Sequence, residues 1–192
     1  MSRAAAQGKA TYQDVLDAPE HLVAELIDGE LWTQPRPSGP HAEAASVLGM
    51  DLGGPFHRGR GGPGDWIILY EPELHLGADV LVPDLAGWRR QRMASVPDAP
   101  YFELAPDWAC EVLSPATALR DRRRKLPLYA SHRVAHIWLV DPGARSVEVF
   151  RLDGDGYRFV VARGESDRCR LEPFDAIELE LAALWGQAGE GE

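Results

Sequence analysis

The segment DWACEVLSPATALRDRRRKLPLYASHRVAHIWLVDP, residues 107–142, limits the possible folds more than any other part of the chain. Its apolar run 109–113 has the length of a buried strand, and HIWLVDP, 136–142, has the length of a second. Between them the Ser114–Pro115 turn leads into a stretch of helix formers at about 117–131. Strand, helix and strand in that order form a crossover unit, which requires the two strands to lie parallel in one sheet. Two chemical oddities sit inside this unit. Glu111 interrupts the apolar run, and five cations fall within residues 120–125.

The flanking sequence supplies the remaining layers. Thr11 can cap a helix in the region 10–25, and HLVAELIDGELW, 21–32, reads as a β-hairpin around Asp28-Gly29. TQPRPSGP, 33–40, reads as loop, and 41–56 as a helix carrying Ala45, Leu48 and Leu52 on one face. HRGRGGPGD, 57–65, is a flexible turn. Residues 66–76 and 78–88 read as two strands, the second ending near Pro83-Asp84, and 89–102 has too many prolines for regular structure. A further hairpin spans 146–152 and 157–162, a helix falls within 174–185, and 186–192 is a flexible tail. The pattern predicts an α/β (α+β) fold: a mixed central sheet flanked by helices, with an N-terminal β-hairpin, in one domain over 1–192.

Bulk properties exclude several functions. No run approaches the roughly 20 apolar residues of a membrane span, and the N-terminal stretch lacks a signal-peptide core, so a soluble cytoplasmic protein is expected. Two cysteines, Cys110 and Cys169, make neither a disulfide framework nor a zinc-finger spacing. Cys110 adjoins Glu111 on an alternating strand, so its thiol belongs to the opposite face, in the core, as do Trp88 and Trp138. His132 and His136 are spaced i,i+4 but straddle a helix-to-strand turn, which argues against a metal pair. Net charge is −10, from 20 cations and 30 acids, so the molecule as a whole repels nucleic acid. Binding a polyanion would need a local basic patch or a bound cation.

The chemistry-bearing candidates are carboxylates at strand ends: Glu73 or Glu71, Asp84, and Glu111. If the strands of Asp84 and Glu111 are neighbours, the two acids converge, and a pair of carboxylates completed by water suits a hard cation such as Mg2+ or Mn2+. A strand acid equally fits a solvent face or an ion pair, and spacing alone does not choose. Lys125 lies on the crossover helix, which packs back over its sheet, with Asp121 one turn earlier as an ordinary ion-pair partner. Two acids, a cation and a lysine are the parts needed to cleave a phosphodiester. Arg120, Arg122, Arg123 and Arg124 are candidate nucleic-acid contacts, and equally a solvated helix face.

ELIDGELW (25–32), PSGPH (37–41), VPDLAGW (82–88), EVLSPATALRDRRRKLPLYASHRVAHIWLVDP (111–142) and VEVFRL (147–152) together resemble the Uma-two family of bacterial restriction endonuclease-like proteins, grouped with the PD-(D/E)XK nucleases. The resemblance runs from about residue 11 to 185. It implies a restriction-endonuclease-like core and a divalent metal held by Asp84, matching the family's PD, and by Glu111, matching its second acid. The motif's lysine position is Leu113 here, and the lysine falls instead on the helix as Lys125. Glu30 and His41 lie on recurrent family positions and enter as accessory residues. The expectation is a Mg2+- or Mn2+-dependent endonuclease acting on DNA, with homodimers common among such enzymes. Two alternatives stand beside it: a nuclease-fold module that binds nucleic acid or protein without cutting, and hydrolysis of another phosphoester such as RNA.

Overall fold

The computed structural model of the chain describes residues 9–186. Helix α1 (Tyr12–Leu16) leads into β1 (Leu22–Ile27) and β2 (Glu30–Pro35), paired antiparallel through Asp28 and Gly29. Both turn residues have positive φ, 55° and 78°, the backbone a two-residue hairpin turn demands. Helix α2 (Gly39–Leu52) runs on into a wide π-helical turn, Gly53–His57, where Pro55 has no N–H for the ordinary ladder. The strand of the hairpin outlasts the expected loop boundary, since Thr33 still faces Ala24 across the ladder.

The stretches 66–76 and 78–88 are not two simple strands. Each breaks in two, giving β3 (Trp66–Tyr70), β4 (Leu74–Leu76), β5 (Asp79–Leu81) and β6 (Leu85–Arg89). The register continues unchanged across the break, with Tyr70 opposite Leu85 and Leu74 opposite Leu81. One long hairpin is therefore divided at Glu71-Pro72 and Val82-Pro83, where prolines remove ladder donors. Its tip, β4 and β5, joins the first hairpin in a four-stranded sheet ordered β2-β1-β5-β4. Its base, β3 and β6, joins β7 (Trp108–Val112), β8 (His136–Asp141), β9 (Ser146–Asp153) and β10 (Gly156–Gly164) in a six-stranded sheet ordered β10-β9-β8-β7-β6-β3. Asp84 sits at the seam between the sheets.

Strands β7 and β8 are parallel and every other pair in the large sheet is antiparallel, so the predicted crossover and mixed sheet are present. The crossover is helical in three pieces: α3 (Ala118–Arg120), a π-helical turn (Asp121–Lys125) and α4 (Leu126–Ser131). Pro127 explains the widening, because its ring cannot coexist with a normal bond to the carbonyl of Arg123. The expected C-terminal helix shrinks to a short 3-10 turn, Leu181–Trp185, after a two-residue ladder between β11 (Arg168–Cys169) and β12 (Leu179–Glu180). The flexible tail expected at 186–192 lies outside the described residues except for Gly186.

Each face of the large sheet has its own core. One contains Leu48, Leu52, Trp66, Trp108, Cys110 and Trp138, covered by α2 and the C-terminal segment. The other contains Trp88, Ala109, Leu113, Tyr129, Ile137 and Leu139, covered by α4 and the small sheet. Phe174 knits the first core: its ring centroid lies 4.7–5.6 Å from those of Phe56, Trp66, Trp108 and Trp138. Truncating a buried aromatic at such a centre leaves a cavity the surrounding indoles cannot fill. Phe174→Ala is expected to lower the unfolding free energy by about 3–5 kcal/mol in urea denaturation, and Phe174→Leu by clearly less.

Candidate active site

The charged side chains that the described residues bury are Glu25, Glu111, Arg120, Asp121 and Lys125, and all five belong to one cluster. Lys125 is its centre, at 1% exposure, with Nζ 2.8 Å from Glu25 Oε1, 2.9 Å from Glu111 Oε2 and 3.7 Å from Asp121 Oδ1. Arg120 Nη2 lies 3.2 Å from Glu25 Oε2 and 3.5 Å from Asp121 Oδ1, and donates to Gln34 Oε1 at 2.6 Å. The Arg120–Glu25 approach lacks hydrogen-bond geometry, so Glu25 Oε2 remains without a hydrogen bond. Tyr129 donates its hydroxyl to Glu111 Oε1 at 2.7 Å.

Each element delivers its residue for a local reason. Glu111 projects from the centre of β7 toward the face that holds Tyr129, while its neighbour Cys110 enters the opposite core. Glu25 comes from β1 on the same face as buried Val23 and Ile27. The wide turn Asp121–Lys125 and the helix after it carry Asp121, Lys125 and Tyr129 over the sheet.

Asp84 adjoins this cluster. The β6–β7 register, Leu85 opposite Cys110, puts Asp84 across from Glu111 one step further along. Its Oδ2 accepts from the Val112 N–H at 2.7 Å and its Oδ1 from His41 Nε2 at 2.5 Å. Glu25 Oε1 also accepts from the Val82 N–H at 2.9 Å, which ties the Asp84 loop to the lysine cluster. Asp84 and His41 open onto a cleft of about 190 Å³ shared with Glu71, Ser114 and Thr117. Glu111 and Lys125 lie behind that cleft, inside the protein.

The charges do not balance. Three carboxylates face two cations, an excess of one negative charge in a buried volume. Burial pushes the Glu111 carboxyl up; Lys125 works against that, and Asp121, Glu25 and Asp84 add to it, for a result of about 8 against an ordinary 4.5. Burial opposes the charge on Lys125, but Glu111, Glu25 and Asp121 outweigh it and hold the ammonium well above the usual lysine range. Tyr129 is raised by burial and by Glu111.

Asp84 and Glu111 offer carboxyl oxygens, the donor type a hard cation takes, and a cation there would displace the proton that Glu111 otherwise holds. The set is also small. Among the described residues no three His, Cys, Asp or Glu side chains are arranged to hold a metal, so one here would take Asp84 and Glu111 and fill its shell from water or phosphate oxygens.

The residues singled out from sequence fall into two groups. Asp84, Glu111, Lys125 and His41 are brought together. Glu30 is not: it is exposed and lines a separate groove with Lys9, Asp14 and Asp28. The four arginines also separate. Arg120 is buried in the cluster, Arg122 makes two hydrogen bonds to Glu148, Arg124 bonds Asp28, and Arg123 remains exposed. An arginine at 9% exposure and held by Glu25 and Gln34 cannot reach a backbone phosphate, so Arg120 is an internal counter-charge. Glu25 and Tyr129 were not anticipated. The signal for Glu25 was present in LVAELI, which is apolar on both faces of the strand and leaves its one acid no solvent side.

Two outcomes follow. Lys125→Met leaves three buried carboxylates facing one another and should cost about 3–5 kcal/mol in urea denaturation, with part of the loss recovered in Lys125→Met/Glu111→Gln. The pH dependence has a definite sign: folded Glu111 holds a proton that the unfolded chain releases. That contribution to stability is complete below pH 4.5 and lost as pH rises through about 8. Stability should therefore fall across this window in the native protein, and the slope should flatten in Glu111→Gln.

The family model described as "Uma2: Putative restriction endonuclease" matches residues 10–183. No curated protein matches the chain. The fold is similar to a crystal structure from Anabaena variabilis ATCC 29413, described as "a putative nuclease belonging to DUF820". The TM-score is 0.72 at 23% identity, over 92% of this chain and 98% of the other. No helix among the described residues is long and apolar enough to cross a membrane.

Proposed function

Because the chain belongs to the Uma2 family, we propose that it is a metal-dependent endonuclease hydrolysing DNA phosphodiester bonds at the Asp84–Glu111 site. The observation that carries this reading is Lys125 held against Glu111 directly behind an Asp84 that faces an open cleft. A divalent cation on Asp84 and Glu111, Mg2+ or Mn2+, would supply polarisation of the phosphoryl oxygen and an activated water. The chain's own residues hold that site in shape. His41 and the Val112 N–H fix both oxygens of Asp84, and Lys125 and Tyr129 fix both oxygens of Glu111. Lys125 acts through Glu111, since its nitrogen has no solvent face. Rigid carboxylates need no reorganisation as charge develops on the phosphoryl group.

The test is nicking of supercoiled plasmid by purified protein with Mg2+ or Mn2+. Asp84→Asn and Glu111→Gln should each reduce the rate by more than about a hundredfold, the scale at which losing one preorganised contact shows. Glu30→Gln should leave it unchanged. Full cleavage by either acid variant overturns the role of that acid.

One observation favours a second reading, a nuclease-fold module that binds without cutting. Every oxygen of Asp84 and Glu111 already accepts a hydrogen bond within the protein. Metal-independent DNA binding that survives Glu111→Gln, with no nicking under any metal, would establish that reading.

A further inference from the structure

We propose that the face made by the C-terminal half of α2, the 57–65 loop and the end of β3 carries the phosphodiester backbone of duplex DNA leading to the Asp84 cleft; this rests on the nuclease reading above. A cleavage site in a chain of net charge −10 needs cations that remain available to phosphate. The basic helix supplies few. Arg120 and Lys125 are buried with acids, Arg122 is taken by Glu148 and Arg124 by Asp28, and the exposed Arg123 lines a separate groove with Asp28 and Asp79.

Arg58 and Arg60 are different. Both are exposed, and neither has a carboxylate partner among the described residues, whereas Arg36 is paired with Glu71 and Arg89 with Asp65. From Gly49 to Asp65 the chain carries these two arginines against two acids, Asp51 and Asp65, and Asp65 is itself paired with Arg89, so the two arginines keep their charge available. The arginines flank a groove of about 450 Å³ with His57, Met50 and Tyr70, and Gly49, Gly53 and Gly54 put no side chain into it. Tyr70 and Met50 are 50% and 66% exposed, a flat ring and a pliable thioether open to solvent.

The loop holding the arginines is built rather than loose. Arg60 N–H donates to Gly54 C=O at 2.9 Å and Gly64 N–H to Pro55 C=O at 3.0 Å. The Arg90 guanidinium spans the loop, donating to the carbonyls of His57 and Gly64. A Cβ at Gly64 would lie 2.7 Å from Gly59 Cα, so this approach of the two loop arms requires glycine. Presenting two cations from a fixed backbone lowers the ordering cost of binding.

The groove and the Asp84 cleft are lined by consecutive residues of one strand end. Tyr70 lines one and Glu71 the other, and the Glu71 N–H bonds the carbonyl of Asp84 at 3.1 Å. Helix α2 spans both, with His41 at one end and Gly53 just past the other, about 18 Å at 1.5 Å per residue. That separation corresponds to about five base pairs of duplex at 3.4 Å each.

The test is fluorescence anisotropy of a labelled 20-base-pair duplex, with Ca2+ in place of Mg2+ and salt varied. Arg58→Gln/Arg60→Gln should weaken binding about tenfold or more and make the log–log salt slope shallower by about two. Arg122→Gln/Arg124→Gln, which removes two arginines already paired with Glu148 and Asp28, should leave both close to the native values. Both substituted loop positions are exposed, so unchanged circular dichroism is expected and separates lost binding from lost folding. Native-like affinity and slope in the loop variant, with the native protein binding, overturns this inference and leaves the nuclease reading standing. No duplex binding by the native protein at any salt overturns both.

Discussion

Everything near the site depends on one buried ammonium. Lys125 joins three parts of the molecule at one point: β1 of the small sheet through Glu25, β7 of the large sheet through Glu111, and its own helical turn through Asp121, with Arg120 bridging Glu25 and Asp121 beside it. Removing a lysine from water is expensive, and replacing such a cluster with apolar residues is often neutral or stabilising. What the charges add here is position. An apolar contact tolerates sliding, whereas a carboxylate accepting from an ammonium at 2.9 Å and a tyrosine at 2.7 Å has one rotamer available to it.

The second constraint is the break in the long hairpin. Pro72 and Pro83 end the ladder on both arms at the same level, so one hairpin serves two sheets and the chain changes sheets at Asp84. A residue there has lost its ladder neighbours on one side, and its carboxylate takes the Val112 N–H where the β6–β7 pairing stops. The cleft follows from the same geometry, since two sheets diverging from a common hairpin leave a gap at the seam. Glu25 closes the back of that gap by bonding the Val82 N–H, two residues before Asp84.

The arginines show how far local sequence can mislead about electrostatics. Residues 120–125 look like a basic patch, yet the fold sets acids from β1, β9 and the first hairpin turn against them. Those acids are between 26 and 96 positions away in sequence for Arg122 and Arg124, beyond any helical spacing rule. Two exposed arginines without a carboxylate partner among the described residues, Arg58 and Arg60, instead occupy a glycine-rich loop that reads from sequence as a mere turn. Its order comes from Arg90, on a different segment.

The sequence by itself determined the strand–helix–strand unit, the mixed sheet, both hairpin turns, the core placement of Cys110, Trp88 and Trp138, and the candidates Asp84, Glu111 and Lys125. These follow from periodicity, proline and glycine placement, and acids in apolar runs, all of which act within a few residues. Only the tertiary structure decided that Glu25 rather than Glu30 faces Lys125, that Arg120 is an internal counter-charge, and that Tyr129 completes the shell of Glu111. Those outcomes depend on which face of one element meets another, and the free energy of a buried charge is set by partners that the chain brings in from far along its length.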